Sequence, residues 1–194
     1  DEDFSLRQAS SRVMNNFVRA VGKASNTESD KVYLAETTVV PQIKEGLKTQ
    51  NAVIRKGFLV LLAEVAKSFT PTVTKQYPLL HLDLKHLFDE DKEQDVFSNL
   101  MHVQPHRRAR ALVQLRKRID KLEANTITSI FLPMIMHNLH EADKGSENVL
   151  IQESILTIQA IAATLPWSRY SSILRTIMSQ IQKYPSREKL LIKS

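Results

Sequence analysis

The chain has 194 residues, 42% of them hydrophobic and 25% charged, with a formal net charge of +6 and no cysteine. That length can bury a sizeable core, the missing cysteine excludes disulfides and cysteine-held zinc, and the positive balance favours acidic partners, nucleic acid among them. Only 4 Gly and 7 Pro argue against long low-complexity linkers. No apolar run is long enough for a membrane span, and the start, DEDFSLRQAS, is not a signal peptide.

Helical periodicity runs along the chain. In FSLRQASSRVMNNFVRAVGKA, Leu6, Val13, Phe17, Val18 and Val21 recur at three- and four-residue steps. Residues 25–30 break the pattern, and Ser29 or Asp30 is placed to cap the next helix, which carries Val32, Val39, Val40, Ile43 and Leu47. TQN interrupts it. A helix over Ala52–Phe69 follows with the stripe Ile54, Phe58, Leu61, Leu62, Val65 and Phe69, ended by the prolines of TPTVTKQYP. Leu79–Phe88 reads as a short helix or turn. An acidic run, Asp89–Asp95, leads into VFSNLMHV, and Pro105 opens a basic helix of roughly His106–Glu123. Helices over Thr126–His140, Asn148–Leu165 and Trp167–Tyr184 follow, with one more starting at Ser186.

No strand or hairpin signal competes with these helices. The product is all-α, about eight to ten helices joined by short turns, as in stacked helical hairpins. The scheme repeats by eye. VVPQIKEGLKTQNAVIRKGFLVLLAEVA reads as helix, polar turn and second helix, with Arg55 in that helix's first turn. FLPMIMHNL…SENVLIQESILTIQAIAATL repeats it, with Pro133 matching Pro41, and Arg108 in the basic helix matches Arg55. Matching points recur at about 45 to 55 residues, the spacing of HEAT repeats. Thr49 departs from that pattern, which prefers Asp there. The expectation is a HEAT-like α-solenoid, 1–194 forming one continuous segment; an irregular helical bundle is the alternative. The pattern starts and stops in mid-element, so a fragment of a longer chain is expected.

The stretch HRRARALVQLRKRIDK, residues 106–121, holds seven Lys or Arg and one acid in sixteen positions. Wound at about 100° per residue, Arg107, Arg110, Lys117, Arg118 and Lys121 share one face, while Leu112, Leu115, Ile119 and Leu122 share another. Arg108 falls among the apolar residues and, like Arg55, is expected to pack its stem inward with its guanidinium on a neighbouring turn or carbonyl. The five outward cations are the candidate RNA-binding face, since guanidinium forks pair with phosphate oxygens. A solvated face, or one paired to Asp89, Glu90, Asp91, Glu93 and Asp95, fits the same spacing. A basic import signal is a further reading, weakened because such signals need an extended chain and this one is helical.

Other candidates lead nowhere chemical. His102 and His106 have helical ligand spacing, but Pro105 between them starts a new helix and no third ligand follows; His81 with His86, and His137 with His140, also lack one. The acids of 89–95 lack the central Gly and spaced ligands of a calcium loop and suit a helix N-terminus. No phosphate-cradling Gly loop or nucleophile motif occurs. No catalytic residue, metal or cofactor is expected. Phe58, Phe69, Phe97, Trp167 and Tyr170 read as inter-helix packing.

One segment carries a specific likeness. In DVFSNLMHVQPHRRARAL, the residues Asp95, Phe97, His102, Gln104, His106, Arg107, Arg108, Ala111 and Leu112 resemble a segment of the component-twenty family of the small-subunit processome, also called down-regulated in metastasis. Leu165, Trp167, Ser168 and Tyr170 resemble the same family's Leu-x-Trp-Ser-x-Tyr helix. The matches cover roughly residues 79–184, and Pro105 departs where an apolar residue would be expected. The resemblance implies a segment of a very large HEAT-repeat scaffold in the nucleolus or nucleus. It implies no catalytic activity and a part in small-subunit rRNA maturation. Implied partners are pre-ribosomal RNA or U-three snoRNA, other processome proteins, and flanking HEAT repeats of the same chain. A HEAT-type nuclear transport carrier, or a generic protein-protein interaction solenoid, is the competing reading.

Overall fold

A computed structural model describes residues 2–23, 30, 33, 35–49, 51–68, 82–140, 148–183 and 192. The expected cap at Ser29, Val32, Phe69, the breaks at Pro71 and Pro78, and the helix from Ser186 lie outside them. Among the described residues every regular element is helical and there is no strand. No described helix is long and apolar enough to cross a membrane. The chain divides into two compact units, Asp1–Lys85 and His86–Ser194.

In the first unit, α1 (Glu2–Lys23) packs on α3 (Ala52–Ser68), and α3 also packs on α2 (Val40–Leu47), which follows a π-helical turn at Ala35–Val39. The core includes Val18, Val40, Ile43, Leu47, Leu61, Leu62 and Val65. Val13 and Phe17, read as part of the α1 stripe, are exposed. Arg19 donates from Nε and Nη2 to the two carboxylate oxygens of Glu64, at 2.7 and 2.9 Å, tying α1 to α3. Those hydrogen bonds hold the Glu64 carboxyl below its usual range.

The α2–α3 turn is built by side chains. Asn51 Oδ1 accepts from the amides of Val53 and Ile54 at 3.0 and 3.3 Å, capping α3. Arg55 is only 9% exposed, and its Nη1 donates to the Thr49 carbonyl at 2.7 Å. A backbone carbonyl thus meets the guanidinium where the repeat pattern would put an aspartate. Gly46 lets α2 approach α3 closely, since a Cβ there would overlap the base of the Phe58 ring. Gly46→Ala should therefore destabilise the fold: forcing extra volume into packed space costs ~1–3 kcal/mol, against ~1 kcal/mol gained from alanine's helix propensity. Urea denaturation checks this, and a raised midpoint would mean that Phe58 swings aside freely.

In the second unit, α4 (Val96–Leu100) and α5 (Pro105–Lys117) follow the acidic loop. A π-helical turn at Ile127–Phe131 runs into α6 (Leu132–His140), and α6 pairs with α7 (Asn148–Thr164). Among the described residues, the most extensive helix contact is α5 on α7. Its core includes Leu112, Leu115, Ile155, Ile158 and Ile161, with Ile130, Phe131, Ile135 and Leu139 buried alongside. Phe97 stacks on Phe88 with centroids 4.8 Å apart. The last described helix, α8 (Trp167–Lys183), buries Ile173 and Ile177. Among the described residues Trp167 is not packed between helices: it is 75% exposed, opens α8 directly after Pro166, and stacks on Tyr170 of its own helix, at 5.6 Å.

Candidate nucleic-acid interface

The basic helix begins where its proline predicts. Gln104 is extended, Pro105 is the first helical residue, and α5 runs on from there. It ends earlier than expected. Arg118 leaves helical geometry at φ −119°, ψ 10°, and a 3-10 turn, Ile119–Lys121, follows. A continuous helical wheel therefore holds only to Lys117, and Arg118 and Lys121 do not continue its face.

The acidic loop faces this helix. Asp95 is buried and caps α4, its Oδ1 accepting from Ser98 N at 2.6 Å while Oδ2 accepts from Asp89 N at 3.1 Å. Asn99, also buried, donates from Nδ2 to the carbonyls of Lys92, Glu93 and Asp95 at 2.8, 3.1 and 2.7 Å. These bonds fix the loop backbone and so decide where its carboxylates stand. Glu93 Oε2 lies 3.0 Å from Arg110 Nη1, and Glu93 Oε1 lies 4.0 Å from Arg107 Nη2. Asp89 Oδ2 takes Arg118 Nη2 at 2.7 Å, and Arg118 Nη1 donates to the Gln94 carbonyl at 3.0 Å.

The five sequence candidates thus fall into three kinds. Arg118 is structural, its side chain only 13% exposed and doubly held. Arg107 and Arg110 are partly exposed and share one carboxylate. Lys117 and Lys121 are exposed, and no ion pair reaches either among the described residues. Arg108 is half-buried beside the apolar face. The histidine pair offers no ligand set: His102 Nδ1 accepts from Gln104 N at 3.1 Å.

One structural arginine is not singled out by the sequence pattern. Arg116 Nη1 donates to the Glu153 carbonyl at 3.1 Å and to Thr157 Oγ1 at 3.0 Å, and its Nη2 pairs with Glu153 Oε2 at 2.6 Å. It is the polar lock between α5 and α7. The signal is present all the same, because positions 108, 112, 115 and 116 share the inward side of the wheel.

The chain is 27% identical over 99% of its length to U3 small nucleolar RNA-associated protein 20 of Schizosaccharomyces pombe. It is 25% identical over 97% of its length to the Saccharomyces cerevisiae protein of the same name. It is a relative of U3 small nucleolar RNA-associated protein 20. The likeness to U3 small nucleolar RNA-associated protein 20 reaches beyond residues 79–184 to the first helices, where the sequence alone offered only generic repeat helices. The chain spans 8% and 7% of those two relatives' lengths. No protein-family model matches it.

Proposed function

We propose that this chain is a non-enzymatic scaffold segment of the small-subunit processome, acting in nucleolar ribosome assembly and supporting small-subunit rRNA processing. Its hairpins α2–α3 and α6–α7 are members of one HEAT-like solenoid spanning residues 1–194. Flanking repeats of the same polypeptide cover the apolar side chains left exposed on α1 and α8, Val13 and Phe17 on one and Leu174 and Met178 on the other. Other processome proteins use the remaining solenoid surface. The face of α5 bearing Arg107, Arg110 and Lys117, extended by Lys121, meets the phosphates of pre-ribosomal RNA or U3 snoRNA.

The observation that carries the RNA contact is that Lys117 on α5 and Lys121 in the turn after it stay exposed, beside Arg107 and Arg110, which the acidic loop holds through only one carboxylate. The relatives' name, a small nucleolar RNA-associated protein, supports an RNA-rich setting. Photo-crosslinking within purified pre-ribosomal particles tests the proposal. Crosslinkers at positions 110 and 117 should capture RNA; capture of protein alone, or of import factors, would overturn the RNA contact.

A further inference from the structure

Glu93 stands where a phosphate would bind. Its carboxylate bridges Arg107 and Arg110, and its side chain is 64% exposed. The contact is imperfect. Arg110 Nη1 is enclosed and makes no aligned hydrogen bond although Glu93 Oε2 lies only 3.0 Å away, and the Arg107 approach is 4.0 Å. A guanidinium in this state has charge balance without directed bonding, and an anion free to choose its position can satisfy it better. Asp89 differs: it holds Arg118 through a 2.7 Å hydrogen bond, backed by the Gln94 carbonyl, at a side chain almost out of solvent.

We infer that Glu93 is an intramolecular competitor for a phosphodiester strand, setting the affinity of the α5 face by occupying Arg107 and Arg110 until phosphates displace it. This rests on the proposed RNA contact. Asn99 and Asp95 fix the loop backbone, so Glu93 is always within reach and acts at high effective concentration. An isolated anion must beat that tethered carboxylate unaided. A strand has help, because Lys117 lies seven residues beyond Arg110, on the order of 10 Å along the same face. Phosphates that engage Lys117 bring their neighbours to the two arginines.

The test is anisotropy titration of a labelled RNA hairpin with the whole chain. Glu93→Gln should bind about two- to fivefold more tightly at low salt, the worth of one exposed ion pair. Glu93→Asp, which keeps the charge but shortens its reach, should fall between. The gain should vanish in an Arg107→Gln/Arg110→Gln background, and Asp89→Asn should bring none. Unchanged or weaker binding by Glu93→Gln or Glu93→Asp overturns the inference, because a carboxylate that merely supports the surface would weaken binding when removed. If neither variant tightens binding while Lys117→Glu weakens it, the competitor idea fails and the RNA contact stands. If Lys117→Glu and the arginine changes all leave binding untouched, the RNA contact fails, and the competitor idea with it.

Discussion

Arg116→Ala should lower the unfolding free energy of the second unit by about 2–3 kcal/mol. Removing one partner of a fully buried ion pair costs ~3–5 kcal/mol, because the other charge is left stranded. Here the two side chains are 22% and 21% exposed, so water relieves part of that penalty. What remains is the loss of two charge-assisted hydrogen bonds, to the Glu153 carbonyl and to Thr157 Oγ1, where α5 packs on α7. Arg116→Lys should recover only part, since an ammonium cannot reproduce the guanidinium's two hydrogen bonds and its ion pair with Glu153 in one planar arrangement. Urea denaturation followed by far-UV ellipticity measures both. Glu153→Ala combined with Arg116→Ala should cost clearly less than the two changes summed. A loss under ~0.5 kcal/mol for Arg116→Ala would reduce the contact to an ordinary surface pair.

The parts of this arrangement that the sequence disclosed are those with local causes. Pro105 starts α5 because its fixed φ suits a first helical position, and the acidic run 89–95 suits a helix N-terminus, where the structure shows Asp95 capping α4. Both are legible from neighbours in the chain. The end of α5 was not. Ile119 and Leu122 continue the helical pattern and no Gly or Pro marks a stop, yet the helix stops at Lys117. There Arg118 is engaged by Asp89 and Gln94, which stand 29 and 24 residues earlier. The same distance rule explains the acids: pairing between the loop and α5 was foreseeable from opposite charge, but the assignment of Glu93 to Arg110 and Asp89 to Arg118 depends on the loop shape that Asn99 fixes. Trp167 is apolar yet exposed, because apolarity does not say whether a neighbouring helix lies on that side.

Changing Arg107, Arg110 and Lys117 together to Glu should abolish binding of the chain to structured RNA. The triplet forms one face of a regular helix, so the change replaces three positive charges with three negative ones along a single backbone track. Phosphate contacts account for nearly all sequence-independent binding, and each gives a salt slope of about −0.9. If these three carry the contact, the parent should lose roughly 40-fold in affinity between 50 and 200 mM salt, that slope applied three times over a fourfold change in concentration. Lys121 would steepen the fall. The loss should be similar for hairpins of unrelated sequence, because phosphates carry no base information. Stability should change little, since Lys117 is exposed and the two arginines share a single exposed carboxylate. Arg118→Glu should behave oppositely. It sets a carboxylate against Asp89 where the side chain is almost out of solvent, so it should lower the melting temperature while changing RNA affinity far less than the triplet. Gel-shift titrations at the two salt concentrations, with thermal melts of each variant, separate these outcomes. A triple variant that binds as tightly as the parent, with the same salt slope, would make the α5 face a solvated surface and nothing more.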